Sequence, residues 1–221
     1  MRTLKFVLLG LLLSFSALAE DVRVTELKND IMKLAREYKG KPDPDGQLQK
    51  VLEAKVEDLE KILPYSSMHE RARKIAGAWK QVFGPYSPKA DGKVPFGTDP
   101  DNIFQIIFPN GFFYNVALSK ASNLKAVFLL KGEYKVTDEA IEARFLRNSL
   151  MVKNVPDSGL ELLPLRLENG DIKVLHLPKR VPPVGQTGEL IEVYADDEIR
   201  ILRGKSPSFI KTALLIMEKV K

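Results

Sequence analysis

The chain has 221 residues, carries 34 basic and 29 acidic side chains for a net charge of +5, and contains no cysteine. Disulfides and thiol-based lipid anchoring are thereby excluded, and the length suits one sizeable core. Basic and acidic residues are interspersed instead of forming the basic stripe that nucleic-acid binding requires, so no nucleic-acid partner is expected.

Residues 1–19 read as a secretory signal peptide. Arg2 and Lys5 supply the basic start, Phe6 to Phe15 is an apolar run broken only by Gly10, and Ala17-Leu18-Ala19 offers the small residues a signal peptidase needs. The run is well short of the ~20 residues of a spanning helix. Cleavage lowers the basic count from 34 to 32 against 29 acidic residues, leaving +3 on an exported protein of the periplasm or extracellular space.

A helical segment is expected over 20–75. Val24, Leu27, Ile31, Leu34 and Tyr38 recur at helical spacing; after the breaker Lys41 to Gly46 the pattern returns in Leu48, Val51, Leu52, Val56, Leu59, Ile62 and Leu63. Pro64 ends this second helix, and a further turn covers Met68 to Ile75. Both signs of charge on the polar faces suit stripes packed on the rest of the protein better than stripes laid on lipid.

From Gly77 the period becomes two. Strands are expected at Ala78–Phe83, at Ile103–Phe108 and Phe112–Leu118 as a hairpin closed by Asn110-Gly111, at Leu124–Lys131 and at Ile141–Val152. A second hairpin joins Leu160–Glu168 to Ile172–Leu177 through Asn169-Gly170, followed by Leu190–Ala195, Ile199–Arg203 and Phe209–Glu218. The Pro- and Gly-rich stretch Gly84 to Asp101, with Tyr86 and Phe96, reads as irregular loop, either a cover for a barrel mouth or a surface excursion. Two helices cannot cover eight to ten antiparallel strands, and closure removes both the exposed face and the edges. The fold class is therefore α+β, mainly β: an antiparallel barrel over 76–221 preceded by the N-terminal helices, with a two-sheet sandwich as the alternative.

Catalytic chemistry finds little support. The two histidines, His69 and His176, lack a nucleophile or a metal-ligand partner at useful spacing, and Gly185 and Gly188 lack the context of a phosphate loop. No metal and no cofactor is expected. Asp196-Asp197-Glu198 reads first as a turn, with Asp197 or Glu198 the carboxylate to suspect were the protein an enzyme. Trp79 reads as a plug of the closed barrel end or as a stacking surface. Gln105, Tyr114 and Asn115 are polar tips on apolar strands, serving either the backbone or a ligand. Arg200 and Arg203 lie an odd number apart on one strand, so they face opposite sides. If Ile199 and Ile201 point inward, Arg203 goes with them and Arg200 points out.

The run Tyr194-Ala195-Asp196-Asp197-Glu198-Ile199-Arg200-Ile201-Leu202-Arg203-Gly204, followed by an apolar strand ending in Glu218-Lys219, resembles the C-terminal signature of the plastid lipid-associated protein (PAP)/fibrillin or plastoglobulin family. Gly77-Ala78-Trp79 is similar to the family's opening strand. Ile103 to Ile107, with Asn115-Val116, is similar to its Gln and Asn-Val hairpin. The resemblance runs in order from Gln47 to Lys219, with two departures: Lys205-Ser206-Pro207 after Arg-Gly, and the Pro-rich loop. It implies a lipocalin-like barrel that holds a small lipophilic ligand, such as a lipid, isoprenoid or quinone, without catalysis. The ligand-binding candidates are Trp79, Gln105, Tyr114, Asn115, Tyr194, Asp197, Arg200 and Arg203. A membrane surface or an envelope protein recruited by the N-terminal helices is the competing partner class, with the barrel then fully packed.

Overall fold

The computed structural model describes residues 21–41, 43, 45–63, 67–84, 98–121, 124–179, 183–205 and 213–221. The expected signal peptide, Tyr86 and Phe96 of the Pro-rich loop, and the expected strand start at Phe209 lie outside these residues. Helix α1 spans 21–38 and α2 spans Gln47–Ile62. The Asp43 carboxylate accepts from the Leu48 and Gln49 amides, satisfying donors that the first turn of α2 leaves open. Leu63 is already extended, as the residue before a proline favours. A short α3, Met68–Arg71, is capped by the Ser67 hydroxyl and continues into a 3-10 turn, Ala72–Lys74. No described helix is long and apolar enough to cross a membrane.

The strands follow as β1 (Gly77–Phe83), β2 (Thr98–Ile107), β3 (Phe112–Ala121), β4 (Leu124–Val136), β5 (Ile141–Met151), β6 (Leu175–His176), β7 (Thr187–Ala195), β8 (Ile199–Lys205) and β9 (Ala213–Lys219). Each pairs antiparallel with its neighbours in the order β4-β3-β2-β1-β9-β8-β7-β5, and β4 also pairs with β5. Eight strands thus close into a barrel, with β6 added beside one end of β5. The barrel, not the sandwich, is the architecture.

Strand alternation sorts the apolar residues into three clusters. Trp79, Ile107, Phe113, Ile141, Ala143, Leu202 and Met217 fill the interior with Met68 and Ile75. On one outer wall Val82, Val193, Ile199, Ile201, Leu214 and Ile216 meet Ile31, Ala35, Leu52, Val56 and Leu59 of α1 and α2. Most of the two helical stripes is therefore buried against the barrel, with Val51 of α2 left exposed. On the other outer wall Phe104, Ile106, Tyr114, Val116 and Leu129 are covered by Leu160 and Leu163.

That second cover corrects the sequence reading. Leu160–Glu168 is no strand: Leu160–Leu162 is a 3-10 turn and Leu163–Glu168 is helix α4. Pro164 sits in its first turn, where a missing N–H costs nothing, whereas in a strand it removes a ladder donor. Asn169-Gly170 stops this helix instead of closing a hairpin. Gly170 takes φ 78°, with the Asp171 amide on the Arg166 carbonyl and the Gly170 amide on that of Leu167. Of Ile172–Leu177 only Leu175–His176 is strand. Further bounds move, most of all those of β2 and β4. Thr98 to Asp101 belongs to β2, with Pro100 tolerated where the register shifts between Thr98 and Ile103. Strand β4 runs past Lys131 to Val136, because Gly132 lies opposite Phe113 and leaves room for its ring. A Cβ on Gly132 would sit 2.3 Å from that ring.

The connections give the barrel two unlike ends. At one, β2–β3, β4–β5 and β7–β8 are joined by short turns, and the segment from Met68 to Ile75 packs over Trp79. At the other, the connections after β1, β3, β5 and β8 depart.

Candidate functional site

The interior is crossed by a polar chain. Arg200, 0% exposed, donates through Nε and Nη2 to both oxygens of Glu192, also 0% exposed, at 2.8–3.0 Å. Its Nη1 donates to the Gln105 side-chain oxygen, and Gln105 Nε2 donates to Asn115 Oδ1 at 3.1 Å. Arg71 reaches over the closed end to the Glu192 carbonyl at 3.2 Å. Burial pushes the Glu192 carboxyl up from the ordinary carboxylate range, and the guanidinium beside it pulls the other way. A buried, bidentate and further hydrogen-bonded pair of this kind is tolerated where an isolated charge is not.

Inward-facing Gln105 and Asn115 thus belong together with Arg200, and Trp79 pairs with Gln105 across β1–β2. Trp79 is 0% exposed and donates from Nε1 to the Ile75 carbonyl at 2.6 Å, with Lys219 Nζ 4.2 Å from its ring centre. It is a plug of the closed end. A cavity beside Arg200, Gln105, Tyr134 and Leu190 has about 10 Å³ of free space, room for about one water.

The other four candidates lie elsewhere. Arg203 faces out and binds Glu53 and Glu60 of α2 at 3.2 and 2.8 Å. Parity holds, with Ile199, Ile201 and Arg203 on one face, but that face is the outer wall under the helices, so Arg200 is the inward arginine. Tyr194 packs in the same outer cluster and donates to Asp196 at 2.9 Å. Asp196 closes the β7–β8 turn by accepting from the Glu198 and Ile199 amides, and Asp197 beside it is 87% exposed. Tyr114 points outward and donates to Glu168 of α4; burial first, and then this hydrogen bond, push its hydroxyl pKa up.

Glu192, the partner of Arg200, escaped the sequence reading. The register shift between Glu192 and Tyr194 breaks the alternation of β7, so counting along the strand mislocates it; an isolated acid in an apolar strand was the only signal. Above the polar chain the wall is apolar. Leu130 pairs with Asn115 and Asn148, while Phe128 pairs with Ala117 and Leu150, which turns all of these inward. Ala117, Phe128, Leu130 and Leu150 are only half-buried, and none belongs to an apolar cluster of the core.

A closed eight-stranded antiparallel barrel, plugged at one end, polar beside the plug and apolar beyond it, is a lipocalin-like architecture. The PAP_fibrillin family model matches residues 25–210, from α1 through β8, and the chain belongs to that family. Neither the curated proteins nor the solved structures include a match to the chain.

Proposed function

We propose that this protein binds and carries a small lipophilic molecule in the cell envelope and does not transform it chemically. The observation that carries the reading is the set of half-buried, inward apolar side chains, Ala117, Phe128, Leu130 and Leu150, above the Arg200–Gln105–Asn115 chain. A ligand seated there would leave water at about 25 cal/mol per Å² of apolar surface, and its polar end would meet Asn115 or Asn148. Membership of a lipid-associated family is compatible with this, and the leader at the N-terminus motivates the location. The competing role, recruitment of an envelope protein by α1 and α2, loses support because Leu52, Val56 and Leu59 are already fully buried against the barrel.

The test is mass spectrometry of organic extracts from the mature chain, residues 20–221, purified from its native envelope without detergent. A stoichiometric lipophile is expected. An empty protein that also fails to bind a hydrophobic fluorophore would overturn the reading.

A further inference from the structure

On the outside of the barrel, where β5 passes from β6 to β7, the strand pairing along its edge is interrupted among the described residues. Leu177 donates to the Asn148 carbonyl, and Phe145 accepts from the Gly185 amide and donates to the Gln186 carbonyl. Between these contacts lies the β5 bulge at Leu146, where the register with β4 shifts. The gap is a groove of about 430 Å³, within the range of small-molecule sites. Its apolar wall includes Phe112, Leu146 and Leu177.

The same groove is lined by Lys131, Arg147 and Lys179, with His176 at its edge. Lys131 is bound to Glu168 at 2.6 Å and lies 5.0 Å from the Phe112 ring centre. Arg147 acts on that same carboxylate electrostatically. Among the described residues no carboxylate oxygen comes within 4 Å of the charged nitrogens of Arg147 or Lys179. Three cations against one carboxylate leave a positive surplus beside an apolar wall. Serine and histidine fix the rim: Ser149 Oγ and His176 Nδ1 share a hydrogen bond of 2.9 Å, which orients the ring.

We propose that this outer groove is a second binding site, for a single-chain amphiphile with a carboxylate head, the head held by Arg147 and Lys179 and the chain laid along Phe112, Leu146 and Leu177. A neutral lipophile would leave the two cations without a counterpart, and a bare anion would leave the apolar wall wet. Planar guanidinium suits a carboxylate bidentately, and charge-assisted bonds of this kind are the strong ones. The site is separate from the barrel interior, since Phe112, Lys131 and Arg147 alternate outward while Leu130 points in.

The experiment titrates the mature chain with dodecanoate, dodecanol and inorganic phosphate, reading the ring protons of His176 by NMR with His69, the only other histidine, as the internal reference. Dodecanoate is expected to shift His176 saturably and leave His69 in place. The exposed double variant Arg147→Gln/Lys179→Gln should weaken this at least tenfold with an unchanged melting temperature, whereas Leu130→Trp, which fills the barrel interior, should not change it. The last variant separates failure of this site from failure of the barrel reading. The inference is overturned if dodecanoate binds the double variant equally well, if dodecanol or phosphate alone shifts His176 at similar concentrations, or if no saturable shift occurs.

Discussion

Arg200 and Arg203 are neighbours on one strand, yet Arg200 holds Glu192 inside the barrel while Arg203 holds Glu53 and Glu60 of α2 outside it. Three residues of spacing put them on opposite faces, and closure of the sheet turns one face into a lumen and the other into a helix-binding wall. A single short strand therefore organises both the interior polar chain and the docking of the N-terminal helices.

The inner pair should respond asymmetrically to substitution. Arg200→Met leaves the Glu192 carboxylate buried without its partner and Gln105 without its donor, a change expected to cost about 3–5 kcal/mol. Replacing both, Arg200→Met with Glu192→Met, removes the stranded charge and should recover most of that loss. Urea unfolding of the three proteins checks this. Equal destabilisation by the single and double variants would mean that packing around Arg200, and not its charge pairing, sets the stability.

The outer arginine should matter less to global stability and more to α2. Its two ion pairs are partly exposed, so Arg203→Ala is expected to cost roughly 1 kcal/mol and to lose that effect in high salt. Leu59→Ala in the same helix removes fully buried apolar surface and should cost about 2–5 kcal/mol, independent of salt. Hydrogen exchange along 47–62 separates the two. Faster exchange confined to α2 in Arg203→Ala is the expected signature; exchange identical to the parent would show that the apolar face alone holds the helix.

The sequence makes the change of period at Gly77, the Asn110-Gly111 hairpin and the opposite facing of Arg200 and Arg203 readable, because each depends on local geometry. Which face of β8 was the lumen was not readable. Both of its faces are buried, one against α2 and one against the interior, so Ile199, Ile201 and Leu202 form an apolar run with no polar side to orient it. Helix α4 was missed for a related reason: Leu160, Leu163 and Leu167 fit a helical face, while the leucines between them imitate alternation. Pro164 was the feature that should have decided it. The Glu192 partnership joins adjacent strands across the β7 bulge, and the outer groove gathers residues of β3 to β6 at the β5 bulge; strand alternation, which the bulges break, announces neither.

Asp196 gives stability a pH dependence whose sign follows from its surroundings. Burial alone would raise its pKa; the Lys28 ammonium, the Ile199 and Glu198 amides and the Tyr194 hydroxyl outweigh it, leaving the carboxyl below the ordinary range. A depressed carboxyl contributes its stability above the unfolded-state pKa, about 3.9, and loses it as pH falls toward the lower folded-state value. Asp196→Asn should therefore be less stable than the parent at neutral pH, with the gap narrowing as pH drops below about 4. Chemical unfolding between neutral pH and strong acid measures it. A gap independent of pH would assign the role of Asp196 to turn geometry alone.

The half-buried inner wall offers the most direct handle on ligand binding. Leu130 faces inward between Asn115 and Asn148 and contributes to none of the packed clusters, so Leu130→Asp should spare the fold while placing a charge where an apolar ligand would lie. Losing about 60 Å² of apolar contact at about 25 cal/mol per Å² weakens binding by about 1.5 kcal/mol, roughly tenfold, before any penalty for the new carboxylate. Leu130→Met keeps the apolar surface and should retain affinity. Titration of a hydrophobic fluorophore into the parent and both variants reads the difference, with thermal unfolding as the control. A fluorophore that binds the aspartate variant as tightly as the parent sits outside the barrel, and the lumen would then be structural, with Arg200 and Glu192 serving to join its strands.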